Sequence, residues 1–127
     1  MSGGKPGTTG LRRVWTAMFF SFAGLRAAWK HEAAFRQEGS LAIIMVPAGL
    51  WLGNTPVEKS LLIGTVFLVL ITELLNSAVE AVVDRVSTDQ HELSGRAKDI
   101  GSAAVMLSLI LTAITWGMIL APRTGLL

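Results

Sequence analysis

Four polar side chains recur at helical spacing within an otherwise apolar stretch of the chain. Glu73, Asn76, Glu80 and Asp84, here called the polar stripe, stand at offsets of 0, 3, 7 and 11 residues. At about 100° per residue, these offsets place all four within about 80° of one helix face. A charged side chain near the centre of a bilayer costs at least about 2.5–3.5 kcal/mol. In a membrane helix, the polar stripe must therefore face protein, water or a metal ion.

Two interpretations of the polar stripe are open. In the structural one, its carboxylates pair with Arg and Lys side chains and stabilise a helix bundle. In the functional one, they bind a metal ion and transfer a proton. One acid would suffice for an ion pair, whereas several acids and an amide in line need several cations or a divalent metal. Oxygen ligands of this type suit Mg²⁺, which shares its coordination with substrate phosphates.

The composition indicates that lipid covers part of the chain. Of the 127 residues, 51% are hydrophobic and only 16% are charged, and soluble domains usually carry about 25% charged residues. The net charge of +2 is too small to indicate a nucleic-acid-binding protein. The absence of cysteine excludes disulfides, a thiolate nucleophile and zinc–cysteine sites. We therefore predict an all-α integral membrane protein.

Three apolar stretches are candidates for membrane spans, and a segment before them predicts a surface helix. A hydrocarbon core of roughly 30 Å requires about 20 residues, and 39–57 is marginal by this measure while 100–122 is long enough. Residues 11–29 repeat apolar side chains at helical spacing, which is typical of a helix in the membrane interface or of one packed on a soluble partner. We expect a single membrane domain over 1–127, with a flexible tail at 1–10, a surface helix at 11–31 and membrane helices at 33–54, 58–86 and 98–121.

The distribution of positive charge predicts the orientation. Nine Lys and Arg residues precede the first span or lie in the 85–99 loop, and two, Lys59 and Arg123, lie on the other side. Because Lys and Arg favour cytoplasmic loops, we expect the N-terminus and the 85–99 loop to face the cytoplasm.

The 85–99 loop adds polar side chains next to the polar stripe. Lys98 and Asp99 either contact phosphate or lie at the membrane interface, and Asp99 or Ser102 is expected to cap the following helix. The chain has no phosphate-binding glycine loop and no protein-kinase or dinucleotide-binding signature. A nucleotide site here would therefore differ from those of the common soluble folds.

Three segments carry a resemblance to a known family: GLRAAWKHEAAFRQEG at 24–39, ELLNSAVEAVVDR at 73–85 and HELSGRAKDIGSAA at 91–104. Over residues 10–121 the sequence strongly resembles the prokaryotic diacylglycerol kinase family of small membrane enzymes. The resemblance implies transfer of the γ-phosphate of ATP to the hydroxyl of diacylglycerol, which gives phosphatidic acid. It also implies Mg²⁺ as cofactor, three spans plus a surface helix per chain, a homotrimer, and location in the bacterial inner membrane.

The resemblance assigns roles to individual residues. Glu73 resembles the catalytic base that accepts the lipid hydroxyl proton, Asn76 supports the reacting groups, and Glu32 and Glu80 resemble Mg²⁺ ligands that also contact the nucleotide. The other implied nucleotide contacts are Arg13, Phe20, Asp89, Gln90, His91, Lys98 and Asp99. The implied contacts of the lipid substrate are Arg13, Ala17, Ser21, Arg26, Trp29, Ala34, Phe35, Arg36, Gln37, Glu38, Trp51, Glu73, Ser102 and Trp116.

Other functions fit the same residues. Undecaprenol kinases of the wider family share these motifs, although the match around AAFRQEG and HELSGRAKD favours diacylglycerol. A small proton-coupled transporter also uses membrane carboxylates, but transporters of this size usually have more spans and a single membrane glutamate. A purely structural membrane subunit predicts that Glu73→Ala changes stability alone.

Overall fold

The computed structural model describes residues 10–86 and 91–125, and these form four α-helices and a short 3₁₀ helix. The elements are α1 (Leu11–His31), α2 (Ala33–Leu52), α3 (Pro56–Val86), α4 (Glu92–Leu120) and the 3₁₀ helix Ala121–Thr124. The predicted all-α fold is confirmed. The first three helices begin and end within a few residues of the predicted bounds, and α1 has the predicted bounds themselves.

Two helices in the described part of the chain are long and apolar enough to cross a membrane. They are α3 and the continuous segment formed by α4 and the 3₁₀ helix. The first turns of α2 carry Arg36, Gln37 and Glu38, which lower the hydropathy of this helix. The third span therefore stays a prediction.

The last long helix begins earlier than predicted. α4 starts at Glu92, six residues before the membrane helix expected at 98–121. The His91 backbone is extended, and its Nδ1 accepts a hydrogen bond from the backbone N–H of Leu93 at 3.1 Å. This bond satisfies one of the amide groups that lack an intrahelical partner at a helix N-terminus. The prediction that Asp99 or Ser102 caps this helix is wrong, because both lie inside it.

A row of polar side chains joins α3 to α4. Ser108, Thr112 and Trp116 stand four residues apart on α4, so that they share one face. Ser108 Oγ lies 3.0 Å from Thr72 Oγ1. Thr112 Oγ1 donates to the Thr65 carbonyl at 3.3 Å, and Trp116 Nε1 lies 3.3 Å from Thr65 Oγ1. These contacts set the rotation of α4 against α3 and hence the direction in which the polar stripe points.

A second polar network holds the opposite end of the bundle. Glu58 Oε1 accepts a hydrogen bond from the Asn54 N–H at 2.9 Å, and Thr55 Oγ1 accepts one from the Glu58 N–H at 3.1 Å. Arg123, in the 3₁₀ helix, donates to Glu58 at 2.6 Å and to the Leu52 carbonyl. The turn between α2 and α3 is thus tied to the end of α4.

Candidate active site

The polar stripe runs from the interior to the surface along the second half of α3. Glu73 is only 6% exposed, Asn76 and Glu80 are half-buried, and Asp84 is exposed. Asn76 Nδ2 donates a hydrogen bond to Glu80 Oε1 at 3.1 Å. Residues four apart are neighbours on a helix surface, so the spacing seen in the sequence brings these two side chains together.

Four carboxylates from two helices and the α1–α2 junction form an acidic cluster, consisting of Glu32, Glu38, Glu73 and Glu80. Glu32 joins α1 to α2, Glu38 lies near the start of α2, and the other two lie on α3. Glu32, Glu38 and Glu80 are near enough for their negative charges to act on Glu73. Among the described residues, the ion pairs formed by Lys and Arg involve none of these four carboxylates. Ion pairing within the described chain therefore does not explain the acidic cluster.

The acidic cluster fits a divalent cation that is shared with a substrate. In residues 10–86 and 91–125, no three Asp, Glu or His side chains come close enough to hold a metal ion by themselves. A Mg²⁺ ion bound with a nucleotide needs fewer, since it usually takes one or two protein carboxylates together with phosphate oxygens and water. Glu32 and Glu80 could supply those carboxylates, and Glu73 adds negative charge that favours a cation.

Asn76 packs directly against α4 at Gly101. A Cβ atom on residue 101 would overlap Asn76 Oδ1, so any larger residue here would have to displace the Asn76 side chain. Oδ1 is buried and has no hydrogen-bond partner among the described residues, which ordinarily costs about 1–3 kcal/mol. The Asn76 side chain is thus held between Glu80 on α3 and the backbone of α4. Sequence reasoning missed Gly101, although a small residue inside a membrane helix is a known signal of close helix packing.

Lys98, near the start of α4, forms an ion pair with the last turn of α3. Its Nζ lies 2.8 Å from Asp84 Oδ1, and both side chains are substantially exposed. Exposed ion pairs contribute little stability, so Lys98 can exchange its carboxylate partner for a phosphate at low cost. His91 is engaged as the cap of α4. Two further predicted nucleotide contacts, Asp89 and Gln90, lie outside the described residues.

Two cavities border the acidic cluster. The larger, of about 700 Å³, lies between α1 and α3 and contains Glu32 in its wall. Its other lining residues are mostly small and include Ser21, Gly24, Ala28, Ser77 and Ala81. The smaller, of about 290 Å³, lies between α2, α3 and α4 and has Glu38 and Trp116 in its wall. Carboxylates of the cluster therefore face both cavities.

The remaining predicted contacts are spread over four places: α1, both ends of α2, and α4. Those on α1 are exposed, namely Arg13, Ala17, Phe20, Ser21, Arg26 and Trp29. Around the start of α2, Ala34 and Gln37 are exposed, Arg36 is half-buried and Phe35 is buried, and on α4 both Asp99 and Ser102 are exposed. Trp51 is 83% exposed at the far end of α2, and at 1.5 Å per residue it lies roughly 20 Å along this helix from Glu38. The structure does not bring Trp51 to the acidic cluster of its own chain.

Known proteins resemble this chain over nearly its whole length. The family model described as prokaryotic diacylglycerol kinase matches residues 19–120. The diacylglycerol kinase of Escherichia coli (strain K12) is 53% identical over 118 residues, which cover 93% of this chain and 97% of the relative. The diacylglycerol kinase of Haemophilus influenzae is 52% identical and that of Pseudomonas aeruginosa 47%, covering 89% and 90% of this chain and 96% and 93% of the relatives. As its motifs predict, the chain belongs to the prokaryotic diacylglycerol kinase family.

Proposed function

We propose that this chain phosphorylates the hydroxyl of diacylglycerol with ATP and releases phosphatidic acid and ADP. Family membership supports the reaction. The observation that carries the site is the buried Glu73, which has three other carboxylates as its charged neighbours. A lipid kinase needs a proton acceptor at the depth of the lipid hydroxyl, and Glu73 is a carboxylate on a helix that is apolar enough to cross a membrane.

In the proposed reaction, Glu73 accepts the proton of the lipid hydroxyl as its oxygen bonds to the γ-phosphorus of ATP. The bond between this phosphorus and the oxygen that bridges it to the β-phosphate breaks, and ADP leaves. Phosphoryl transfer depends mainly on positioning and on neutralising charge, with one group taking the proton of the nucleophile. Asn76 would support the reacting groups through Glu80, whose Oε1 accepts a hydrogen bond from Asn76 Nδ2.

We assign Mg²⁺ binding to Glu32 and Glu80. When bound, the ion would neutralise negative charge on the phosphates of ATP. Lys98 would contact the same phosphates after leaving Asp84, and Asp99, His91, Arg13 and the other nucleotide contacts implied by the family motifs would complete the site.

We assign the lipid to the cavity between α1 and α3. This cavity has Glu32 at its wall and small residues on both sides, so that it can hold a glycerol backbone beside the acidic cluster. α1 exposes a row of large apolar side chains, including Trp15, Phe19 and Phe22. A helix with such a face lies well in the membrane interface, where the hydroxyl of diacylglycerol is found.

We further propose three spans per chain, with α2 as the first, and a homotrimer in the bacterial inner membrane. Large apolar side chains such as Ile43, Ile44 and Ile100 are mostly exposed on one chain. Exposed apolar side chains in such number fit contact with lipid or with another protein. The N-terminus and the segment between α3 and α4 would face the cytoplasm, where ATP is available.

The test uses purified protein in mixed micelles with labelled ATP, Mg²⁺, and either diacylglycerol or undecaprenol. We expect label in phosphatidic acid, and none when Mg²⁺ is chelated. Label in undecaprenol phosphate alone would support the same mechanism with undecaprenol as the substrate. Absence of label from both lipids, with protein that is folded and oligomeric, would contradict the kinase proposal and direct attention to proton-coupled transport.

A further inference from the structure

The chain turns between α1 and α2 at a single residue, Glu32, and the guanidinium of Arg36 bridges the two helices across this turn. The Glu32 N–H donates to the Ala28 carbonyl at 2.9 Å, and the Glu32 carbonyl accepts from the Arg36 N–H at 3.1 Å. The side chain of Arg36 then reaches back across the junction. Its Nη1 donates to the carbonyls of Trp29 at 2.8 Å and Lys30 at 3.1 Å. These carbonyls belong to the last turn of α1, where intrahelical donors are lacking.

A second contact closes the same junction from the other side. A Cβ atom on residue 39 would lie 3.1 Å from Cζ3 of Trp29, so the Trp29 ring packs on the backbone of α2 at Gly39. Arg36 and Gly39 thus hold the end of α1 at two points along α2. The positive charge of Arg36 is also favoured at the negative end of the α1 dipole.

Glu32 depends on this junction for its direction. Its backbone is extended, with φ −116° and ψ 107°, and lies between two helices. Any change in the angle between α1 and α2 must pass through these two dihedral angles, because the residues on either side are helical. Such a change would move the Glu32 carboxylate relative to α3, which it faces across the cavity that Ser77 and Ala81 also line.

We propose that Arg36 is a positioning residue, which fixes the angle between α1 and α2 and thereby holds Glu32 at the acidic cluster. The proposal rests on the proposed function, in which Glu32 binds the metal ion. It gives Arg36 a different role from the lipid contact that the family motifs imply. Both of its hydrogen bonds go to carbonyls of its own chain.

The test measures the α1–α2 geometry directly and then the use of metal. The chain has no cysteine, so spin labels can be attached to cysteines introduced at chosen positions. Phe22→Cys on α1 and Ile44→Cys on α2 are both at exposed positions. The distance between the two labels can be measured by double electron–electron resonance in lipid nanodiscs. Labelled chains are diluted with unlabelled ones so that only distances within one chain are seen. The variant is Arg36→Met, which keeps an apolar stem and removes the donors. The matched control is Lys30→Met, which removes one positive charge from the same junction but leaves the Lys30 carbonyl in place.

In Arg36→Met we expect the distance distribution to broaden and the Mg²⁺ concentration for half-maximal rate to rise roughly tenfold, as is typical when the support of a metal ligand is lost. The KM for diacylglycerol should rise as well, because the cavity assigned to the lipid lies between α1 and α3. Lys30→Met should alter none of these quantities. Gly39→Ala, which displaces the Trp29 ring, provides a second variant and should shift the distance and the Mg²⁺ dependence in the same direction.

An unchanged distance distribution in both Arg36→Met and Gly39→Ala would overturn the positioning role. A rise confined to the KM for diacylglycerol would also overturn it and would make Arg36 a lipid contact. Failure of the unaltered chain to phosphorylate lipid would instead contradict the proposed function. The distance measurement uses no substrate and distinguishes these two failures.

Discussion

At the level of single residues, Asn76 links Glu80 on α3 to the backbone of α4 at Gly101. The four-residue separation of Asn76 and Glu80 predicts that they meet, and they share a hydrogen bond at 3.1 Å. Gly101 could not be recognised in the same way, because its role arises only where α4 crosses Asn76. The bonds from Arg36 to α1 are equally invisible in the sequence, since they depend on how sharply the chain turns at Glu32.

Gly101→Ala should impair catalysis through Asn76. The added methyl group overlaps Asn76 Oδ1, and small displacements of groups around a reacting centre can lower kcat up to about a hundredfold. Steady-state kinetics with diacylglycerol and ATP provide the measurement.

Gly117→Ala is the matched control for this change, because it lies in the same helix and an added Cβ meets nothing within 4 Å. This control should retain its kcat, and alanine in place of glycine should favour the helix by up to about 1 kcal/mol. Equal kcat in the two variants would show that close packing at Gly101 is irrelevant to the reaction.

At the level of helices, hydrophobic periodicity predicts the elements well and the ends less well. The apolar repeat of α1 ends at Trp29, and the helix ends two residues later at His31. The predicted start of α4 is six residues too late, because a histidine cap is not a typical start signal. The sequence analysis did not predict the row of Ser108, Thr112 and Trp116, because its partners Thr65 and Thr72 lie on another helix.

The Thr72–Ser108 contact should couple the stabilities of α3 and α4. Each hydroxyl can donate to a carbonyl of its own helix, Thr72 to Val69 and Ser108 to Val105, and one of them must donate to the other hydroxyl to form the interhelical bond. Interhelical hydrogen bonds in membranes are worth about 0.6 kcal/mol on average. Unfolding of Thr72→Val, Ser108→Ala and the double variant in mixed detergent should show a coupling energy of this size.

Ser60→Ala serves as the control for that cycle, because the Ser60 hydroxyl bonds within α3 to the Pro56 carbonyl at 2.7 Å. Its effect should be additive with that of Thr72→Val, as expected for distant sites. Additivity in the Thr72–Ser108 cycle itself would mean that the contact does not stabilise the interface.

At the level of the whole molecule, the number of membrane spans determines on which side of the membrane each helix ends. α3 and α4 are apolar enough to cross a membrane, and the proposal adds α2 as a third span. Composition and charge predicted a membrane protein and an orientation. They could not settle the status of α2, because this helix combines a polar start with an apolar remainder.

Single cysteines introduced at Arg12 and Asn54 should lie on opposite sides of the membrane. Both residues are exposed, one on α1 and the other in the turn between α2 and α3. With α2 as a span, an impermeant thiol reagent added to intact cells should label Asn54→Cys and should label Arg12→Cys only after lysis. With two spans, the two positions would lie on the same side and would behave alike.

The central claim is that Glu73 is the catalytic base, and the rate of lipid phosphorylation by Glu73→Gln tests it most directly. Loss of a general base typically lowers the rate by about 10²–10⁴, and we predict a fall in kcat within this range while the oligomer persists. Glu58→Gln is the matched control, because it makes the same change at the other end of α3, beside Arg123. It should keep its kcat. Full activity of Glu73→Gln would contradict the assignment of Glu73 as the base.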